Sequence, residues 1–91
     1  MEDIIKHIMT LYEQDKIDEA IEELHNVLNY NNKNSDLLFL MGKLQWKKGN
    51  RQDAIGYYIE SDMLNPDGPA KRALEMSADI ENYFNPDLLN P

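Results

Sequence analysis

Residues 35–68, SDLLFLMGKLQWKKGNRQDAIGYYIESDMLNPDG, hold the reading on which the fold turns. Leu38, Met41, Leu44 and Gln45-Trp46 recur at the three-to-four spacing of one helical face. The pattern breaks at Gly49-Asn50 and resumes at Ala54, Ile55, Tyr58 and Ser61-Asp62. The stretch therefore predicts two short helices joined by a tight turn. Gly49 suits the left-handed residue that closes a helix, Asn50 suits the cap of the next, and Asp53 three residues later completes a capping-box-like start. Pro66 stops the second helix because it has no N–H to donate. Gly42 and Ala54 are the small residues expected to let the two antiparallel helices approach closely.

Leu38-x2-Met41-Gly42-x2-Gln45, then Ala54-x3-Tyr58, then Pro66 resembles a tetratricopeptide repeat (TPR). That helix-turn-helix unit follows W-x2-L-G-x2-Y, then A-x3-F, then P over a 34-residue period. Leu38 and Gln45 depart from the pattern, placing smaller or polar residues where the family has aromatics. Shifted back by one period, the unit falls on residues 1–34, pairing Ile4 with Leu38, Ile8 with Gly42, Ala20 with Ala54, Ile21 with Ile55 and Leu24 with Tyr58. Three paired positions are identical (Ala20/Ala54, Ile21/Ile55, Asn31/Asn65), so the match rests on residue character: an acid before the alanine, an aromatic in the last turn of the first helix. His7, Ile8 and Asn32 stand where the family usually has leucine, glycine and proline. His7 is thus expected among core positions. Ile8 should push the first helix pair apart or make its partner give way, because close contacts tolerate added methylenes poorly. Asp15, the counterpart of Gly49, should adopt a left-handed conformation at some cost.

After Gly68, Pro69 is placed for the first turn of a further helix, and Ala70, Ala73, Ser77, Ile80 and Phe84 form an apolar stripe flanked by Leu74 and Tyr83. Arg72, Met76 and Asp79 do not fit a third repeat, so this segment reads as a capping helix that ends the core. Prolines at 86 and 91 bar a helix beyond it. The expected fold is all-α: a right-handed superhelical stack of two TPR-like hairpins plus a capping helix, five helices in all. The expected organisation is repeat 1 at 1–34, repeat 2 at 35–68, the cap at 69–84 and a non-helical tail at 85–91.

Composition narrows the function. Seventeen acidic against nine basic residues give a net charge of −8, which disfavours nucleic acid, since affinity for phosphate backbones comes from Lys and Arg displacing counterions. The acidity gathers in residues 1–34, which hold eight acids and three bases. Without cysteine there are no disulfides or thiolate metal sites. MEDIIKHIMT is too acidic, and its apolar run too short, for a signal peptide. No stretch reaches about 18 uninterrupted apolar residues. A cytoplasmic protein with no membrane partner is expected.

The TPR resemblance implies that the first helix of each pair lines a concave wall that takes segments of other proteins. In its register the inward residues are Ile5, Met9, Tyr12 and Glu13 from the first unit and Phe39, Lys43, Trp46 and Lys47 from the second. These make an apolar, aromatic wall with a basic edge, fitted to bury an apolar side chain and pair a carboxylate with Lys43 or Lys47. Alternatively Phe39 and Trp46 pack on the capping helix or the tail. A third reading has Leu88-Leu89 of the chain's own tail, or a second copy in a weak homo-oligomer, filling the groove. The lysine and asparagine clamp by which some family members hold a C-terminal carboxylate is not expected, because Ile5, Met9 and Phe39 occupy three of its positions and only Lys43 remains. His7 and His25 are too differently placed for a metal pair, and Asp15, Asp18, Glu19, Glu22 and Glu23 read either as a patch for a basic partner or as a solvated helix start. With no nucleophile–base constellation or phosphate loop, neither catalysis nor a cofactor is expected.

Overall fold

The computed structural model describes residues 2–84, with side chains through Ser77. Five helices follow in order: α1 (Glu2–Glu13), α2 (Ile17–Leu28), α3 (Ser35–Lys48), α4 (Arg51–Leu64) and α5 (Ala70–Phe84). The described residues contain no strand. Each helix packs mainly on the next in sequence, as in a repeat stack. Helices α1 and α2 form one hairpin, α3 and α4 a second, and α5 lies against α4. The side chains of Ile80, Tyr83 and Phe84 and the expected tail 85–91 lie outside what is described.

The two hairpin turns share one hydrogen-bond scheme. In the first, the Asp15 N–H donates to the Tyr12 carbonyl (3.0 Å) and the Lys16 N–H to the Leu11 carbonyl (2.8 Å). In the second, the Gly49 N–H donates to Trp46 (3.0 Å) and the Asn50 N–H to Gln45 (2.9 Å). This is the Schellman closure, repeated one 34-residue period on. It requires a left-handed residue, and Asp15 (φ 61°) and Gly49 (φ 98°) supply it as expected.

The expected cap at Asn50 is not formed. Its side chain makes no bond to the start of α4; its amide instead donates to Gln45 Oε1 at 2.9 Å, the side chain being turned back toward α3. Exposed Asp53 closes no capping box. The side-chain cap lies one helix earlier, where Asn34 accepts from the Leu37 N–H at 3.0 Å. Helix α4 ends at Leu64, two residues short of Pro66, and the Pro69 carbonyl accepts from the Ala73 N–H (3.2 Å) at the start of α5. Ser35 and Ser61 tie the ends of the second hairpin together: each hydroxyl donates to the other's carbonyl, at 2.9 and 2.8 Å. Ser61, fully buried, is thereby satisfied.

Two hydrophobic clusters hold the stack. The larger joins α1, α2 and α3 through Ile8, Leu11, Leu24, Leu28, Leu37, Leu38, Met41 and Leu44. Leu24, Leu37, Met41 and Leu44 are wholly inaccessible, each burial contributing about 1.5–3 kcal/mol. The smaller consists of Ala54, Tyr58 and Ala70, with Phe39, Trp46, Ala73 and Leu74 against it.

The close approach within the second hairpin is as expected, but its partner differs. A Cβ at Gly42 would lie 2.5 Å from Tyr58 Cε1 and 2.6 Å from Cδ1, so the tyrosine ring, not Ala54, occupies the room the glycine leaves. The first hairpin reverses the sizes: Ile8 stands at the glycine's position and Leu24 at the tyrosine's, both buried in the larger cluster. The partner has given way, and α1 meets α2 less extensively than α3 meets α4. His7 is a correction. It is exposed, and its Nε2 lies 2.9 Å from Glu23 Oε1, because the inward face of α1 is set by Ile4, Ile8 and Leu11 and position 7 falls beside it.

Candidate functional site

Helix α3 carries two faces with separate tasks. Leu37, Leu38, Leu40, Met41 and Leu44 are buried, whereas Phe39, Lys43 and Trp46 are half-buried on the opposite side and Lys47 is exposed beside them. Separations of four and three place Phe39, Lys43 and Trp46 along one stripe. Helix α4 supplies the back wall: the Tyr58 ring lies 5.6 Å from that of Phe39, tilted by 38°. Helix α5 supplies the far side through Ala73, Met76 and Ser77. These side chains surround a hollow of about 230 Å³ lined by Phe39, Lys43, Trp46, Tyr58 and the three α5 residues. The Ser77 hydroxyl donates back to the Ala73 carbonyl at 2.7 Å, so it is already satisfied.

Three cations lie on aromatic faces at or beside this hollow, Lys43 alone among them lining it. Lys43 Nζ lies 5.4 Å from the Tyr12 ring centroid and 5.9 Å from that of Phe39, Lys47 Nζ lies 5.9 Å from Tyr12, and Arg51 Cζ lies 5.1 Å from Trp46. Each such contact contributes about 0.5–1 kcal/mol where exposed. Among the described residues none of the three cations forms an ion pair with a carboxylate; the pairs present are Lys48 with Asp18 and His7 with Glu23. Burial holds the Tyr58 phenol in its neutral form, its pKa pushed up to about 12, with the nearby Tyr12 hydroxyl acting in the same direction. Tyr57, half-buried against the larger cluster, is raised by burial and then by Glu60 and Asp53.

Of the residues the sequence nominated, Tyr12, Phe39, Lys43, Trp46 and Lys47 are therefore brought together. Phe39 and Trp46 also pack on the smaller cluster with Ala73, as the alternative reading anticipated. Of the eight nominated residues only Phe39, Lys43 and Trp46 line the hollow, and Tyr12 and Lys47 lie beside it through the Lys43 and Lys47 contacts. Ile5 is half-buried against the larger cluster, and Met9 (43% exposed) and Glu13 lie on the surface of α1. Sequence reasoning missed Tyr58, Arg51, Ala73 and Met76. Tyr58 was recoverable from the glycine opposite it. Arg51 was recoverable from its place just beyond the turn that follows Trp46.

Among the described residues no three His, Asp or Glu side chains are grouped to hold a metal ion, and no helix is long and apolar enough to cross a membrane. The acidic run on α2 is partly engaged within the chain, through Asp18 and Glu23.

The family model described as TPR repeat matches residues 10–49, from the last turn of α1 through α2 and α3 to the left-handed Gly49. Comparison with curated proteins and with solved structures gives no match. The matched segment contains the first Schellman turn, the buried residues of the larger core cluster apart from Ile8, and the aromatic–cationic stripe of α3. Taken with the five-helix stack, the match fits a small TPR-like protein.

Proposed function

We propose that the chain is a non-catalytic interaction module whose hollow between α3, α4 and α5 takes one apolar side chain of a peptide or helical segment, with a neighbouring carboxylate of that segment on Lys43 or Lys47. TPR repeats in general serve protein–protein interaction, which supports the class. The particular site rests on one observation: an aromatic-walled hollow edged by cations that have no carboxylate partner among the described residues, in a chain of net charge −8. At about 230 Å³ the hollow is smaller than the roughly 300–1,000 Å³ of small-molecule sites, which favours a side chain over a cofactor. Tyr12 and Phe39 hold the Lys43 head in place by cation–π contact, so that less side-chain freedom is lost when a carboxylate arrives. Ile5, Met9 and Glu13 extend the surface along α1 for the flanking part of the segment.

The experiment is a titration of Trp46 fluorescence with pools of peptides that carry an aliphatic residue next to Asp or Glu. Trp46→Ala and Lys47→Glu, followed by a labelled peptide, should each weaken binding about tenfold or more. Ala73→Leu fills the hollow from the α5 side and should abolish binding while preserving or raising the melting temperature. Unchanged affinity in all three variants refutes the site.

A second reading has the groove closed by the chain itself. The observation favouring it is that α5 already supplies Ala73, Met76 and Ser77 to the hollow. Deleting residues 85–91 separates the two readings: self-closure predicts a lower melting temperature and greater quenching of Trp46, whereas an open groove predicts neither.

A further inference from the structure

We infer that the edge formed by the α2–α3 loop and the C-terminal half of α4 is a self-complementary surface, through which two copies of the chain pair about a two-fold axis. Six large hydrophobic residues are exposed in the described structure, and four belong to this edge: Tyr30 at 94%, Met63 at 77%, Ile59 at 46% and Leu64 at 45%. Between the loop and the helix lies a shallow hollow of about 210 Å³ lined by Leu38, Met63 and Leu64. The same lining carries one cation, Lys33, and one anion, Glu60. Among the described residues neither has an ion-pair partner.

This arrangement selects its occupant. Whatever covers Met63 and Leu64 must offer apolar surface together with an anion for Lys33 and a cation for Glu60. A second copy of the edge offers all three, and a two-fold axis sets Lys33 of each copy against Glu60 of the other. A strongly basic partner would be drawn instead to the acids of α1 and α2. Met63, unbranched and polarisable, can adapt to the face of its own symmetry mate. The edge shares no lining residue with the hollow of Phe39 and Trp46, so the pairing does not rest on the function proposed above.

Sedimentation velocity on the full chain, from micromolar to millimolar concentration, tests this. A concentration-dependent monomer–dimer equilibrium is expected. Lys33→Glu alone and Glu60→Lys alone should each raise the dimer dissociation constant about tenfold or more, since each variant places two like-charged pairs across the axis. An equimolar mixture of the two variants should recover association to within about threefold, because every mixed dimer has two opposite-charge pairs. Met63→Glu should also weaken the dimer, and unchanged circular-dichroism melts in all three variants distinguish lost association from lost fold. The inference is overturned if the chain is monomeric throughout the range, if the dimer survives the single reversals, or if mixing fails to restore it. Loss of the dimer on Trp46→Ala but not on Met63→Glu would place the contact at the groove and overturn it equally.

Discussion

Replacing Gly42 by alanine measures the contact on which the second hairpin depends. The added Cβ would sit 2.5, 2.6 and 3.2 Å from Tyr58 Cε1, Cδ1 and Cζ. Ordinary carbon contact begins near 3.4 Å, so ring and helix must separate by about 1 Å. The ring has little freedom to move: Tyr58 is 5% exposed, packs with Ala54 and Ala70, and has Phe39 against its face. Overpacking of this kind costs about 1–3 kcal/mol. Removing a glycine from a helix interior returns about 0.5–1 kcal/mol. With the ring held and contacts this short the upper part of that range, about 2–3 kcal/mol, applies, so the net expectation is a loss of about 1–2.5 kcal/mol, or a fall in melting temperature of at least about 4 °C for a domain of this size. In a Tyr58→Leu background, which copies the Ile8–Leu24 pairing of the first hairpin, the clash is gone and Gly42→Ala should stabilise by about 0.5–1 kcal/mol. Urea unfolding of the four proteins in this cycle should therefore give a coupling of about 2 kcal/mol, with the sign of the alanine effect reversed between backgrounds. A neutral or stabilising Gly42→Ala with Tyr58 present would show that α3 and α4 are not held together by this contact, and the reasoning would fail.

Further expectations concern the turns and the buried phenol. Asp15→Gly relieves the left-handed backbone at φ 61° and should stabilise by about 0.5–1 kcal/mol in urea unfolding, whereas Gly49→Ala, at φ 98°, should destabilise by a similar amount. Burial pushes the Tyr58 phenol up to about 12 from the usual value of about 10, so its contribution is complete below pH 10 and is lost as the pH rises toward 12. The loss amounts to about 2–3 kcal/mol, and melting temperatures of Tyr58→Phe should fall less steeply over that range than those of the parent chain.

What the sequence disclosed was whatever depends on backbone conformation and period. Gly49 and Asp15 had to be left-handed because a helix closed before each and another opened soon after. The helical pairs followed from apolar spacing. Side-chain direction was harder to read. His7 was assigned inward by register, yet Ile8 and Leu11 already set the buried face of α1, and one position is about 100° of helix. Asn50 looked like a cap by composition. Its amide had a competing acceptor in Gln45, whose departure from the family aromatic made that bond available. The site was legible as far as α3 carried it, since Phe39, Lys43 and Trp46 lie on one helix. Tyr58, Ala73 and Met76 reach the same place through tertiary contacts, which local periodicity does not encode.

The hollow has a cause in the way α5 departs from the repeat. One period after Phe39 and Lys43 stand Ala73 and Ser77, and one period after Gly42 stands Met76. A third repeat that preserved bulk at the inward positions would have filled the space beside Tyr58; small residues there let α5 dock while leaving a cavity between it and α3. Among the described residues the smaller cluster has Ala54, Tyr58 and Ala70 at its centre where the larger has leucines. A cavity lined by apolar atoms forfeits dispersion contacts and so costs stability. In a chain of 91 residues, able to bury only about two thirds of its unfolded surface, that cost bears directly on the fold. The cavity thus lies where aromatic walls meet cations that have no carboxylate partner among the described residues, which is the arrangement the proposed site for an incoming side chain requires.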